Sequence, residues 1–313
     1  MAQPIAFDDL MRGDKAALAA ALAQIESNPH GGPTVELLTR AFECPRAHVV
    51  GVTGPPGVGK STLLGKLIAN LRGGKRTVGV IAVDPSSKRT GGALLGDRIR
   101  LATDPDDGGV FVRSMAARDR LGGLAEITVA AMVLMRAIYD VVLIETVGVG
   151  QSETDVEGAA DTVVFCIQPG SGDSLQFMKA GIVEIPDIIV VTKSDMEAAA
   201  SQARTDIKGA IKITGAVPAS AALEGWETKV LSVSALHDRG IADLVSALDA
   251  HRAFLASQGR IERRRHAQAE AWLISAVREG FGREGLKRSG PLTLAAGESP
   301  FGKLAQVARL FAG

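Results

Sequence analysis

Gly54-Pro55-Pro56-Gly57-Val58-Gly59-Lys60-Ser61 follows the pattern G-x-x-x-x-G-K-[ST]. Glycines at these places let successive backbone N–H groups turn inward around a β-phosphate. A helix starting at the loop adds its positive dipole end, and Lys60 reaches the β/γ oxygens. Ser61 is the hydroxyl suited to Mg2+. The chemistry needs a strand before the loop and a helix after it. The apolar run Val49–Thr53 and the helix-like run Thr62–Leu71 supply them.

Two carboxylates stand where further phosphate and metal chemistry is expected, at the carboxyl ends of neighbouring strands. Thr77–Val83 runs into Asp84-Pro85-Ser86-Ser87, and Val141–Ile144 into Glu145-Thr146-Val147-Gly148. Mg2+ keeps several waters and takes one or two carboxylates, so Asp84 and Glu145 are the first metal candidates and Asp97 the third. Gly148 suits a backbone N–H that meets the γ-phosphate, since a residue without Cβ permits the close approach. Further on, Ile188–Val191 precedes Thr192-Lys193-Ser194-Asp195, a form of the guanine-reading pattern [NT]-K-x-D. Asp195 can accept from guanine N1–H and the 2-amino group while the Lys193 stem covers the ring. Adenine lacks both donors and would leave the carboxylate underpaired, so GTP is expected over ATP. A second loop, Ser232-Val233-Ser234-Ala235-Leu236, follows the last strand and can offer backbone N–H groups to guanine O6.

These residues need a scaffold. Seven short β-rich runs, Val49–Thr53, Thr77–Val83, Val110–Val112, Val141–Ile144, Thr162–Ile167, Ile188–Thr192 and Val230–Val233, alternate with helical stretches. Runs apolar on both faces suit strands between two helix layers, hence an α/β fold with a mostly parallel sheet. Ahead of it, Leu18, Leu22 and Ile25 mark a helix from Asp14 to Ile25, and Thr34 is placed to cap a second through Phe42. Beyond Ile241, Ala242–Gln258 and Arg260–Val277 read as long helix whose apolar stripe must pack on the sheet or on a second copy of the chain. The expected organisation is a helical extension over 1–45, a nucleotide domain over 46–250 and a helical, dimerising arm over 251–313.

The 313 residues are 46% apolar and 22% charged, with Lys+Arg and Asp+Glu equal at 35. That balance fits a chain with a sizeable core and gives no long-range pull toward nucleic acid or an acidic membrane. Cys44 and Cys166 form no C-x-x-C spacing. The start carries Asp8, Asp9 and Asp14 and no cleavable apolar run, and no stretch reaches the roughly 20 apolar residues of a membrane span. A cytoplasmic protein is expected, with neither nucleic acid nor membrane as partner.

Several longer strings are more specific than the phosphate loop. Val83-Asp84-Pro85-Ser86-Ser87, Gly91 to Arg98, Arg113-Ser114-Met115-Ala116, Leu121-Gly122-Gly123-Leu124 and Glu145 to Glu153 resemble the MeaB/ArgK family of P-loop GTPases. The resemblance runs from about Gly13 to the C-terminal helices. It implies a homodimeric chaperone of an adenosylcobalamin-dependent acyl-CoA mutase, such as methylmalonyl-CoA mutase. Such a chaperone gates cofactor delivery and protects or reactivates the mutase, with GTP hydrolysis as timer. The cobalamin is held by the partner, not by this chain, and an adenosyltransferase is a further candidate partner. By position it assigns Gly54 to Thr62 to phosphates, Asp84, Asp97 and Glu145 to the Mg2+ region, and Lys193, Asp195 and Ser234 to Leu236 to guanine. Many relatives carry Pro and an aromatic where this chain has Lys88-Arg89. Gly170 to Gln176, ending near Lys179, resembles a switch loop that senses the mutase. Lys179 is either a catalytic or coupling residue or a solvated helix lysine.

No residue is an obvious water-positioner. Gln151 is a candidate, or equally part of a switch surface, so slow turnover until a partner orders the loops is expected. Two other function classes stay open, a kinase acting on a transport protein or small molecule and a nickel-insertion GTPase. His30, His48, His237, His251 and His266 lack metal-ligand spacing, against the latter. Cys166 reads as core and Trp272 as packing within the arm. Arg260, Arg263, Arg264 and Arg265, without interleaved aromatics, read as a solvated or subunit-facing helix surface.

Overall fold

The computed structural model describes residues 5, 7–85, 104, 106–117, 124–146, 156–170, 186–214 and 225–311; at 84–85, 116–117 and 213–214 only the backbone is described. Three helices come first: α1 (Phe7–Met11), α2 (Lys15–Ser27) and α3 (Gly32–Glu43). Asp14 caps α2, its carboxylate accepting from the Ala16 and Ala17 amides at 2.8 and 3.1 Å. The cap read at Thr34 is displaced: α3 starts at Gly32 with Gly31 as its N-cap, because Pro33 brings a helix-compatible φ to the first turn. Thr34 lies inside the helix, buried, with Oγ1 accepting from Gln24 Nε2 at 3.2 Å.

The strands are β1 (His48–Thr53), β2 (Val78–Pro85), β3 (Val110–Ala117), β4 (Val141–Glu145), β5 (Thr162–Ile167), β6 (Ile188–Val191) and β7 (Lys229–Ser232). They form one parallel sheet in the order β3-β2-β4-β1-β5-β6-β7. β3 outruns its sequence reading because pairing with β2 continues to Pro85↔Ala117. The remaining helices are α4 (Lys60–Gly73), α5 (Glu126–Ile138), α6 (Glu197–Thr214), α7 (Ile241–Ala256), α8 (Arg260–Arg288, broken at Gly282) and α9 (Pro300–Arg309).

Side chains from α2, α3 and α5 meet Val49, Ile81, Val142, Ile144 and Val163 on one face of the sheet. Leu63, Leu64 and Leu67 of α4 and Leu244 and Leu248 of α7 meet Val50, Val52, Leu143 and Val164 on the other. Every residue of β1, β4, β5 and β6 is buried, which is why these runs read as continuously apolar instead of alternating.

At the edge opposite the phosphate loop, an aspartate precedes each of β4, β5 and β6 and accepts an amide at the start of the adjacent strand. Asp140 Oδ2 takes Thr77 N–H, Asp161 Oδ2 takes Val49 N–H and Asp187 Oδ2 takes Val163 N–H, each at 2.8 Å. Arginines answer these carboxylates. Arg46 pairs with Asp140 at 2.6 Å, Arg265 with Asp161 at 2.6 Å, and Arg264 lies 3.6 Å from Asp187. Arg264 and Arg265 therefore correct their sequence reading: their side chains are 8% and 11% exposed and turn onto the sheet, being neither solvated nor subunit-facing. Arg260 lies over Phe254, and Arg263 donates to Gln258 O on an exposed surface. Trp272 packs beyond its own helix, 4.7 Å from the Phe301 ring, and touches the core of the main sheet. Cys166 is fully buried in β5, as read, and burial pushes its thiol up to about 12.

Candidate functional site

β1 delivers the chain into the phosphate loop, and the loop's shape follows from residue type. Gly54 has φ +134°, and a Cβ there would sit 2.3 Å from the Cys166 carbonyl oxygen on β5. Gly59, at φ +98°, leads into α4. Val58 is buried among Leu63, Leu64 and the β1 valines, which anchors the tip of the loop in the core. Lys60 is 7% exposed and its ammonium donates to Gly54 O at 2.7 Å and Pro55 O at 3.0 Å. Thr62 faces outward on the first turn of α4.

Glu145, the last residue of β4, lies beside β1 in register with Val52. Its Oε1 accepts from Ser61 Oγ at 2.7 Å, and the carboxylate is 6% exposed. A hydroxyl and a carboxylate are hard oxygen donors, so the pair fits Mg2+ held jointly with nucleotide phosphates. Among the described residues, no group of three or more His, Cys, Asp or Glu side chains forms a metal cluster by itself. Thr146 Oγ1 donates to Thr53 Oγ1 at 2.8 Å, tying the ends of β4 and β1 together. Asp84 ends β2 opposite Ala116, with its side chain outside the described residues. Asp97, Gly148, Gln151 and Lys179 lie outside them entirely, as do Lys88 and Arg89.

The two segments expected to read the base, far apart in sequence, converge. Ser234 Oγ donates to Asp195 Oδ1 at 2.6 Å, and that bond lowers the Asp195 carboxyl from its ordinary value. The Ser234 N–H donates to Arg239 O at 3.0 Å, so of the three residues expected to offer amides to guanine O6 only Ala235 and Leu236 remain candidates. Leu236, two residues beyond Ser234, is an exposed apolar side chain at 77%. Lys193 adopts φ +50°, rare for a residue with a Cβ, which turns its ammonium back to Gly57 O at 2.9 Å and Gln168 Oε1 at 2.7 Å. Thr192 is buried, and its hydroxyl reaches Val58 O at 2.7 Å and Ile167 O at 3.0 Å. Phosphate loop and base loop are thus one bonded unit. Gln168 escaped the sequence reading because a single glutamine after a strand carries no pattern.

A family model described as methylmalonyl-CoA mutase-associated GTPase MeaB matches residues 18–286. The chain belongs to the MeaB family. A Pyrococcus abyssi relative named as a GTPase is 41% identical over 270 residues, covering 86% of this chain and 82% of its own. The Caenorhabditis elegans methylmalonic aciduria type A homolog, a mitochondrial protein, is 34% identical over 295 residues, covering 87% of this chain and 71% of its own. Among solved structures, one titled LAO/AO transport system kinase superposes with TM-score 0.68 at 28% identity, over 98% of this chain and 96% of that one. This MeaB-family protein is accordingly a P-loop GTPase. Among its described residues, no helix is long and apolar enough to cross a membrane.

Proposed function

We propose that this MeaB-family GTPase serves as chaperone to an adenosylcobalamin-dependent acyl-CoA mutase, methylmalonyl-CoA mutase or a near relative, gating cofactor delivery and protecting or reactivating the enzyme. The observation that carries the nucleotide part is the Asp195–Ser234 bond, which joins the two segments expected to read guanine. The mutase part rests on family membership and on the relative named for methylmalonic aciduria. Residues 251–313 are proposed as the dimerising arm of a cytoplasmic homodimer, and cobalamin as a ligand of the partner.

On GTP binding, the Lys60 ammonium exchanges the Gly54 and Pro55 carbonyls for β/γ oxygens, and the loop amides wrap the β-phosphate. Ser61 and Glu145 would hold Mg2+, with Asp84 and Asp97 as further candidates. When bound, the ion neutralises charge on the β/γ oxygens. Lys193 stays on Gly57 O, so placement of the base and curvature of the loop are set together. Gly148, Gln151 and Lys179 are proposed to sense the γ-phosphate, the attacking water and the partner.

The deciding experiment measures GTP hydrolysis by the full chain alone and with a candidate mutase, with ATP as control. Slow GTP turnover that rises with the mutase is expected, and an unchanged rate counts against the chaperone reading. The name of the superposing kinase supports a second reading, phosphoryl transfer to an acceptor. Label from γ-labelled GTP found on an acceptor instead of in inorganic phosphate would favour it.

A further inference from the structure

Arg136 lies in the last turn of α5, at the end of the sheet away from the phosphate loop, and is 4% exposed. A guanidinium does not give up its proton on burial, so its charge must be met by another group. Its Nε has no hydrogen-bond partner, and its Cζ lies 5.4 Å from the Phe42 ring centroid. The carboxylate that acts on it is Asp161, whose oxygens are already engaged. Arg265 Nε and Nη2 donate to Asp161 Oδ1 and Oδ2 at 2.8 and 2.6 Å, and Val49 N–H donates to Oδ2. Two buried guanidiniums thus share one carboxylate. Burial, then the neighbouring Arg265 charge, pushes Arg136 down to about 10, the direction of an under-neutralised cation.

The same two arginines line a cavity of about 20 Å³ where α3, α5, α8 and α9 meet, walled by Phe42, Trp272, Phe301 and Gln268. The pocket is partly open to solvent, and its inner space takes a particle of about the size of a water molecule. A water would satisfy the Nε donor and leave the net charge in place. A small anion accepts from the Nε donor and also offsets the charge.

We propose that this cavity binds one small monovalent inorganic anion of the halide class between Arg136 and Arg265, where it seats the α8–α9 arm against α5. The site is independent of the nucleotide and of the mutase reading.

The test compares melting of the full chain in sodium gluconate and in sodium chloride or bromide at equal ionic strength, together with crystals grown in bromide. Chloride and bromide are expected to raise Tm by about 2 °C or more over gluconate. An anomalous bromide peak is expected within hydrogen-bond reach of the Arg136 and Arg265 guanidiniums. Arg136→Met, which removes the surplus charge and keeps an apolar stem, is expected to lose the halide dependence. Should that variant not fold, the bromide map of the unaltered protein decides. Equal melting in both salts, or bromide crystals with water in the cavity and no anomalous peak, overturns the proposal.

Discussion

Thr192 occupies the position where the guanine pattern more often has Asn, and its hydroxyl meets both Val58 O and Ile167 O. Thr192→Val keeps the shape and removes the hydroxyl, leaving a buried carbonyl short of a partner. The expected cost is about 1–3 kcal/mol in urea unfolding, with weaker GTP affinity, while Thr192→Ser retains most of both. Asp195→Asn replaces an acceptor with a side chain that can donate. GTP affinity should fall at least tenfold in a competition assay, and xanthosine triphosphate, which offers a 2-oxo group, should gain. Equal loss for both nucleotides would mean that Asp195 does not read the base. The sequence made Lys60, Glu145 and Asp195 legible because each lies in a short pattern with a mechanism. It did not make legible the Ser234–Asp195 bond or the Lys193–Gln168 bond, which join separate segments through tertiary placement.

Seven strands were readable as seven apolar runs, since burial on both faces writes itself into composition. Arg264 and Arg265 of α8 were misread for the complementary reason. A charged run looks solvated until the carboxylates it faces are known, and Asp161 and Asp187 lie far upstream. A weak signal was present: an aspartate stands immediately before each of the apolar runs that become β4, β5 and β6. Arg265→Met removes both guanidinium hydrogen bonds from the buried Asp161 carboxylate, leaving it only the Val49 amide and the charge of nearby Arg136, and should cost about 3–5 kcal/mol in denaturant unfolding. Arg263→Met, on the exposed face of the same helix, should stay within about 0.5 kcal/mol. Equal small effects for both would show that the Arg265–Asp161 pair does not tie the arm to the sheet.

Across the whole molecule, His48 and His251 are joined through Thr162, whose Oγ1 lies 2.6 Å from His48 Nε2 and 2.7 Å from His251 Nδ1. Burial pushes them down to about 3 and about 4, against the opposing pull of Asp161 on His48 and Asp187 on His251. Both therefore stay neutral in the folded chain while the unfolded chain protonates them near pH 6.5. Below that pH the unfolded state binds more protons, so stability falls as pH drops from about 6.5 toward 4. The slope is about 1.4 kcal/mol per pH unit for each histidine. Asp161 is penalised by burial, but Arg265 holds it low at about 2, so its contribution is lost only further down, below the ordinary carboxylate range. Glu157, raised by burial, works in the opposite sense near its own titration. Urea midpoints between pH 7.5 and 4.5 should show the decline, and His251→Gln should flatten it; an unchanged slope would remove His251 from the account.

The aspartates at the sheet edge also carry a message about time. Thr77 is tied down by Asp140, Val49 by Asp161 and Val163 by Asp187, so in each case the restraint is translated after the strand it restrains. β1 has neighbours only in β4 and β5, and at about 5–20 residues per second the ribosome takes on the order of 5–20 s to supply β4 after finishing β1. Through that interval the strand that will carry the phosphate loop is an unpaired apolar segment. Nascent chains stopped before β5 should depend on cellular holdases, and completion of β5 should release them.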